Sequence, residues 1–205
     1  MRKAVFLDKD GTLIEDVPYN CDLTRIKLLP GAVEGLQALH AAGYALVVIS
    51  NQAGVAHGFL TEQFLAAVET RLRALLSAAG VPLDGFFYCP HHPDGAMPKY
   101  AVRCTCRKPK PGLILRAASQ LKIDPTRSWM VGDILHDVEA GRGAGCRTVL
   151  IDNGNETEWQ VSDMRWPDHI AKDLAEASDI ILSHDGTLEQ SSSPRHDRLG
   201  DTYAC

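Results

Sequence analysis

The sequence predicts an α/β domain in which a doubly wound, Rossmann-like parallel sheet is covered by helices on both faces. Short apolar runs alternate with amphipathic stretches along the chain, which is the order of strands joined by crossover helices. The apolar runs are nearly continuous, as expected of strands buried on both faces. With 205 residues, 45% of them hydrophobic, the chain can form one domain with a full core.

The predicted strands follow the apolar runs in chain order, over residues 5–7, 44–49, 86–88, 129–131 and 148–151. Amphipathic spacing predicts helices between them, over residues 31–42, 61–79, 112–121 and 137–144. Thr61 and Glu62 are typical of a helix start, and Gly43 and Gly80 are typical of helix ends.

The C-terminal part of the chain changes in character. A last helix near residues 170–177 and a last strand near residues 179–182 should extend the sheet. Residues 184–205 are polar and aperiodic, which predicts a flexible tail. We therefore assign the domain to residues 1–183.

Composition excludes several classes of protein. The formal net charge of −5 provides no basic field along the chain, which argues against a nucleic-acid partner. No apolar run approaches the length of a membrane span, and the N-terminal run is too short for a signal peptide. We expect a cytoplasmic protein that acts as a monomer. In that reducing compartment, cysteines that cluster among the six present are expected to bind metal.

An acidic turn, Asp8-Lys9-Asp10-Gly11-Thr12, directly follows the first predicted strand. Ligands of open parallel sheets bind beyond the carboxyl ends of the strands, so the turn lies in the expected site. Residues two apart on an extended segment point the same way, and Asp8 and Asp10 can therefore share one ligand. One carboxylate could act as nucleophile and the other as general acid and base, with Mg²⁺ offsetting their repulsion.

This turn resembles the first motif of the haloacid dehalogenase (HAD) superfamily of phosphohydrolases, and the other motifs of the superfamily follow in order. Ser50-Asn51-Gln52 ends the second strand, where the superfamily keeps a hydroxyl that binds the phosphoryl group. Lys108 precedes a Pro-x-Pro-Gly helix start, similar to the third motif. Gly132-Asp133-Ile134-Leu135-His136-Asp137 follows the strand at residues 129–131 and resembles the acids of the fourth motif, with Asp133 matching the Mg²⁺ ligand. Four motifs in order, each at a strand end or helix start, make the resemblance specific.

The resemblance implies a division of roles among these residues. Asp8 would attack phosphorus, while Asp10 would protonate the leaving oxygen and later activate water. Mg²⁺ would be held by Asp8, Asp10 and Asp133. Ser50 and Lys108 would hold the phosphoryl oxygens.

A second group of ligand-type residues lies in a proline-rich loop. These residues form two pairs separated by twelve residues, namely Cys89 with His91 and Cys104 with Cys106. Cysteine and histidine in this number bind Zn²⁺ in tetrahedral sites, and four protein ligands leave no position for water or substrate. We therefore predict a structural zinc in a loop over residues 89–106. His92 is an alternative to His91 as ligand, and a loop of reduced thiols without metal is the other alternative.

A zinc loop directly before Arg107-Lys108-Pro109 is similar to that of capless HAD enzymes, a group that includes the heptose 1,7-bisphosphate 7-phosphatases and the histidinol-phosphate phosphatases. The long spacer between the ligand pairs resembles the heptose enzymes, as do residues 89–93 and 50–58. The resemblance covers residues 3–153. It implies removal of the 7-phosphate of D-glycero-D-manno-heptose 1,7-bisphosphate to give heptose 1-phosphate, a step in nucleotide-activated heptose synthesis.

Three other functions are open at this point. Two are enzymatic, namely a histidinol-phosphate phosphatase and a phosphatase of broad small-molecule specificity. The third is a zinc-loop binding module without catalysis, which would have no reason to keep the acidic turn together with Lys108 and Asp133.

The resemblance to the heptose enzymes also implies which residues contact the sugar bisphosphate. Asp16 and Tyr19 fall where those enzymes contact the sugar. The phosphate-binding loop corresponds to Ser50, Asn51, Gln52 and Ala53. Arg107 and Lys108 fall near the phosphates, and the planar fork of Arg107 could grip a second phosphate through two hydrogen bonds.

Two residues depart from the pattern of the heptose enzymes. His57 stands where they usually have an arginine, and Ile134 stands where some have a lysine. Each departure removes a permanent cation. The identity of the sugar, its anomer and the position of the second phosphate are therefore open.

Overall fold

The structure, a computed structural model, describes residues 1–186 and forms a six-stranded sheet. The strands are β1 (Ala4–Leu7), β2 (Ala45–Asn51), β3 (Gly85–Cys89), β4 (Trp129–Gly132), β5 (Arg147–Ile151) and β6 (His169–Ala171). The helices are α1 (Ala32–Ala41), α2 (Glu62–Ala78), α3 (Gly112–Leu121), α4 (Leu135–Ala144) and α5 (Leu174–His184). All neighbouring strands are parallel, in the order β3-β2-β1-β4-β5-β6. The predicted doubly wound parallel sheet is confirmed.

The five predicted strands and the four helices between them all form, with ends within two residues of those expected. Thr61 caps α2, because its Oγ1 accepts a hydrogen bond from the Phe64 amide at 3.1 Å. Gly80 follows the end of α2 at a φ of +72°, a left-handed conformation that glycine adopts without strain. Within residues 1–186, no helix combines the length and the apolar character needed to cross a membrane.

The predicted order of the last two elements is wrong, because the strand precedes the helix. β6 pairs with β5, and α5 then begins after Asp173, whose side chain accepts a hydrogen bond from the Glu176 amide at 2.9 Å. The buried residues of α5 recur every three or four positions, as on one face of a helix: Leu174, Ala177, Ser178, Ile181 and Leu182. A three-residue strand is too short to show a period, so the sequence pattern does not separate β6 from α5.

The folded part of the chain extends past the predicted boundary at residue 183. α5 continues to His184. Asp185 accepts hydrogen bonds from Tyr44 Oη at 2.5 Å and from Lys3 Nζ at 2.9 Å, which attach the end of α5 to residues beside β1 and β2. The remainder of the predicted tail, from residue 187, lies outside the described residues.

An apolar core covers each face of the sheet. In β1, Val5 and Leu7 belong to one core, and Ala4 and Phe6 belong to the other, because successive side chains of a strand point to opposite faces. Side chains from α1, α2 and α5 fill the first core, and side chains from α3 and α4 fill the second. Both faces of the sheet are thus buried, which explains the continuous apolar runs.

The candidate site lies where the winding of the sheet reverses. β1 lies between β2 and β4, so the connections that leave these strands run to opposite sides and open a crevice beyond their carboxyl ends. Asp8 follows β1, Ser50 is near the end of β2, and Asp133 follows β4. The sheet therefore brings three distant parts of the chain to one edge.

Candidate active site and metal centre

Three buried carboxyl groups meet beyond the ends of β1 and β4. Oxygens of Asp8, Asp133 and Asp137 lie within 4.8 Å of one another. Lys108 joins them, with its Nζ 2.5 Å from Asp8 Oδ1 and 2.6 Å from Asp137 Oδ1, and it also donates to the Ile49 carbonyl at 3.0 Å. One lysine cannot neutralise three carboxylates, so the fully ionised cluster would carry excess negative charge.

Burial makes this excess charge costly. Burial raises the pKa of Asp8 to about 7, against the lowering effect of the Lys108 ammonium. Burial also raises the pKa of Asp133 to about 7, and the Asp8 carboxylate adds to the rise. Burial disfavours the ammonium of Lys108, but the neighbouring carboxylates of Asp137 and Asp8 outweigh it and raise the lysine pKa. A divalent cation with oxygen ligands would balance the remaining charge, so the cluster fits the predicted Mg²⁺.

Two side chains orient the carboxylate of Asp133. Thr12 Oγ1 donates to Oδ1 at 3.1 Å, and Asn155 Nδ2 donates to Oδ2 at 2.7 Å. Gly11, at a φ of +80°, packs so closely that a Cβ on it would lie 2.1 Å from Oδ2. Asn155 is not among the predicted site residues, because it lies in the loop after β5 and belongs to no motif.

Asp137 ends the stretch that resembles the fourth motif and joins the cluster, although only Asp133 of that stretch is predicted as a metal ligand. Asp137 is fully buried in the first turn of α4, and its Oδ2 accepts a hydrogen bond from the Ile134 amide at 3.3 Å. A Cβ on Gly132 would lie 2.2 Å from the same oxygen, so the end of β4 packs directly against it. An acid in the first turn of a helix is ordinary, since it complements the helix dipole, and its burial is not evident from the sequence.

Asp10 lies apart from the carboxylate cluster. Its carboxylate accepts hydrogen bonds from Lys9 Nζ at 2.5 Å and from Gln52 Nε2 at 3.0 Å. The Asp10 carboxylate is not among the oxygens that lie within 4.8 Å of one another, so its predicted part in binding Mg²⁺ with Asp8 and Asp133 stays a prediction. The third carboxylate of the cluster comes from Asp137 instead.

The phosphate-binding residues predicted on β2 form a hydrogen-bonded row. Gln52 Nε2 donates to Ser50 Oγ at 2.8 Å, so Gln52 bridges the buried Ser50 and Asp10. Asn51 bonds to the main chain of Lys108 in both directions. Its Nδ2 donates to the carbonyl at 3.1 Å, and its Oδ1 accepts from the amide at 3.0 Å. Asn51 therefore positions the lysine that reaches Asp8.

A cavity of about 310 Å³ opens beside this row. Its wall contains five of the predicted substrate contacts: Asp16, Tyr19, Asn51, Gln52 and Ala53. Burial raises the pKa of Asp16, and the Asp10 carboxylate adds to the rise. Tyr19 is 51% exposed at the mouth, with its ring centroid 4.9 Å from that of Phe59. Arg107, also predicted to contact substrate, lines a second cavity of about 360 Å³ together with Lys108.

Neither departure from the heptose-enzyme pattern lines these two cavities. The ring centroid of His57 lies 6.2 Å from that of Tyr19 and 4.9 Å from that of His92. Ile134 is half-buried immediately after Asp133.

The four predicted zinc ligands converge. The Sγ atoms of the three cysteines, Cys89, Cys104 and Cys106, lie 3.1 to 3.5 Å apart. His91 Nδ1 lies 3.6 Å from Cys89 Sγ and 3.4 Å from Cys106 Sγ. Zn–S bonds of about 2.3 Å give tetrahedral edges of about 3.8 Å, so a small expansion would admit the ion. His92 lies outside the group.

The spacer of the zinc loop is held against the loop that follows β2. The Met97 amide donates to the Ala56 carbonyl at 2.8 Å, and a Cβ on Gly95 would lie 2.7 Å from that residue. Tyr100 Oη and Lys99 Nζ both donate to the Glu62 carboxylate at the start of α2. The zinc loop thus lies beside the phosphate-binding loop.

Comparisons with known proteins agree with this geometry. The HAD-hydrolase-like family model matches residues 105–177. D-glycero-β-D-manno-heptose-1,7-bisphosphate 7-phosphatase of Pasteurella multocida is 47% identical over 156 residues, which cover 75% of this chain and 84% of that protein. The enzyme of the same name from Haemophilus influenzae is 45% identical, with the same coverage.

A solved structure extends the comparison to the fold. D,D-heptose 1,7-bisphosphate phosphatase from B. bronchiseptica, complexed with magnesium and phosphate, matches with a TM-score of 0.72 and 28% identity. The match covers 89% of this chain and 99% of that chain. The chain therefore belongs to the heptose-1,7-bisphosphate 7-phosphatase family of the HAD superfamily.

Proposed function

We propose that the chain is a Mg²⁺-dependent phosphatase that removes the 7-phosphate of D-glycero-β-D-manno-heptose 1,7-bisphosphate and leaves heptose 1-phosphate. The observation that carries the proposal is the buried cluster of three carboxyl groups and Lys108, together with the cavity lined by Asp10 and Gln52. The substrate and its anomer follow from relatives at 45% and 47% identity. Magnesium and phosphate together in the B. bronchiseptica structure support the same chemistry.

The proposed reaction begins at the carboxylate of Asp8, which attacks phosphorus and displaces the C7 oxygen of the sugar. Asp10 gives a proton to that oxygen, and the phosphoryl group stays on Asp8 as an aspartyl phosphate. Asp10 then takes a proton from water, which attacks the phosphorus and releases inorganic phosphate. Asp10 suits this exchange because its carboxylate lies on the substrate cavity and outside the metal-type cluster.

The surrounding residues orient the reacting groups. Lys108 fixes the nucleophile through the contact to Asp8 Oδ1 and adds positive charge where the phosphoryl group arrives. Ser50 offers its hydroxyl to a phosphoryl oxygen. Mg²⁺ held by Asp8, Asp133 and Asp137 would neutralise charge on the transferring group.

The cysteine–histidine cluster is proposed to hold a structural zinc. Four protein ligands close the coordination shell, so the ion has no position for substrate. Burial raises the pKa of the Cys89 thiol, and a bound cation would stabilise its thiolate. The zinc would tie the two ends of the spacer together and so fix one wall beside the phosphates. We further propose that the enzyme acts as a monomer with one domain.

Phosphate release from a panel of substrates tests the proposal. The β anomer of heptose 1,7-bisphosphate should give the highest kcat/KM, followed by the α anomer and then histidinol phosphate. Removal of Mg²⁺ with a chelator should abolish release, and added Mg²⁺ should restore it. Faster turnover of histidinol phosphate than of either bisphosphate would contradict the proposed substrate.

A further inference from the structure

The second cavity, which adjoins Lys108, has four lysine and arginine side chains among its eleven lining residues. It lies between the zinc loop, residues 107–110 and the first turn of α4, and its volume is about 360 Å³. Its positively charged or basic lining residues are His92, Arg103, Arg107, Lys108, Lys110 and His136. Asp94 is the single acid among the residues that line it. We call this cavity the cationic groove.

Within residues 1–186, three of these cations, Arg103, Arg107 and Lys110, have no carboxylate partner, since no carboxylate oxygen lies within 4.0 Å of them. Arg107 donates only a long hydrogen bond, of 3.4 Å, to the His91 carbonyl. By contrast, Lys108 is paired in the carboxylate cluster, and Lys110 donates to the Cys104 carbonyl at 2.9 Å. Two guanidinium forks on one groove form a site that suits a phosphate, which each fork can bind through two hydrogen bonds.

The cavity beside Asp10 has the opposite charge. Its ionisable lining residues include three acids, Asp10, Glu15 and Asp16, and one lysine, Lys9, which is already paired with Asp10. Acids accept hydrogen bonds from sugar hydroxyls, but they repel a phosphate. A substrate with phosphates at both ends therefore has one favourable direction for its second phosphate, toward the cationic groove.

We propose that Arg103, which lines the cationic groove with Arg107, is a further specificity-determining residue that binds the second, non-reacting phosphate of the substrate. The proposal rests on the proposed function, because it assumes a substrate with two phosphates. Arg103 is the new element, since it belongs to none of the sequence motifs. It supplies a permanent cation in a chain that has His57 and Ile134 where related enzymes have cations.

The test compares two substrates that differ only in the second phosphate, heptose 1,7-bisphosphate and heptose 7-phosphate. The ratio of their kcat/KM values should fall by about tenfold or more in Arg103→Gln, mainly through KM for the bisphosphate, because a charge-assisted contact is lost. Arg103→Lys should recover part of the ratio. Arg116→Gln is the matched control, since Arg116 lies over the Phe87 ring and lines a different cavity. This control should leave both rates unchanged.

Zinc content and thermal unfolding of each variant would show that the loop is intact. An unchanged ratio in Arg103→Gln would overturn the role of Arg103 while the proposed function stands. Weaker inhibition by inorganic phosphate in Arg103→Gln, with an unchanged ratio of kcat/KM values, would also overturn that role. Arg103 would then bind free phosphate and not the second phosphate of the substrate. Failure of the wild-type protein to hydrolyse either substrate would instead overturn the proposed function and the role of Arg103 with it.

Discussion

The carboxylate cluster and the cysteine–histidine cluster are built in opposite ways. The carboxyl groups of Asp8, Asp133 and Asp137 are all buried and are positioned by strand ends and a helix, with Lys108 between them. The cysteine–histidine cluster belongs to one long loop and the end of β3, and three of its four members are partly exposed. The sheet therefore holds the residues of the first cluster in place. The arrangement of the second cluster depends on the ion that its four ligands would bind.

The difference separates two uses of a metal. A supported cluster with excess negative charge can keep its shape while a cation binds and substrate comes and goes. A closed set of four soft ligands in a loop stabilises the fold by binding an ion permanently. Changes in the first cluster should therefore affect turnover and leave folding intact, and changes in the second should affect folding first.

The largest effect is expected from Asp8→Asn. The amide cannot act as the nucleophile, so phosphate release should fall by at least ~10⁴-fold, within the range seen when a nucleophile is removed. Zinc content and thermal unfolding should match those of the wild type. Stopped-assay phosphate release and metal analysis measure both, and substantial residual activity would show that Asp8 is not the nucleophile.

Asp10→Asn should have the next largest effect on turnover. Loss of a general acid and base lowers kcat by about 10²- to 10⁴-fold. The affinity for Mg²⁺ should stay unchanged, because the Asp10 carboxylate lies outside the cluster. Calorimetric titration with Mg²⁺ checks this point, and weaker binding in the variant would restore Asp10 as a ligand.

Cys104→Ser tests the second cluster. The variant should lose zinc and about 2–4 kcal/mol of unfolding free energy, similar to the effect of losing a cross-link that closes a loop of this length. Cys21→Ser is the matched control, because Cys21 is exposed and outside the cluster. Denaturant unfolding and zinc analysis provide the measurements. If Cys104→Ser keeps the zinc content and the stability of the wild type, Cys104 is not a zinc ligand, and if the wild type binds no zinc, the loop holds no structural metal.

Asp137→Asn should weaken Mg²⁺ binding by about 10- to 100-fold, as expected when one carboxylate at a metal site is replaced. The fold should persist, because the amide has nearly the same volume and Lys108 keeps its contact with Asp8. Titration of activity with Mg²⁺ gives the measurement. Wild-type affinity in this variant would mean that Asp137 only positions Lys108.

The smallest effect is a dependence of Mg²⁺ affinity on pH. Because the pKa values of Asp8 and Asp133 are raised to about 7, protons compete with the metal below that pH. Affinity should be constant above about pH 8 and fall by up to about tenfold per pH unit below about pH 7 for each proton displaced. Calorimetry at several pH values provides the check, and a flat profile over this range would contradict the raised pKa values.

Much of both clusters could be predicted from the sequence because their residues stand at positions with a fixed structural meaning. Asp8 and Asp133 each follow an apolar strand, and the parallel sheet brings those ends together. Paired spacing indicates the zinc ligands in the same direct way. Asp137 could not be identified as a ligand, because its place in the cluster depends on how α4 packs against the end of β4.

Other parts of the structure depend on contacts that no local pattern records. Asn51 fits a phosphate-binding motif, yet its side chain is engaged with the main chain of Lys108. β6 and α5 are joined so closely that their order follows from the cap at Asp173 and from pairing with β5, not from an apolar period. Long-range packing, in both cases, decides what the local sequence leaves open.

The position of Lys108 in the chain has a consequence for inhibition. Its main chain is bonded on one side to Asn51 and is separated by one residue from Cys106 on the other. With zinc bound as proposed, a thiol oxidant or a chelator that removes the ion would release one of the two anchors of this lysine. Such a compound would slow the phosphatase without entering its active site, and its effect would not be relieved by excess substrate.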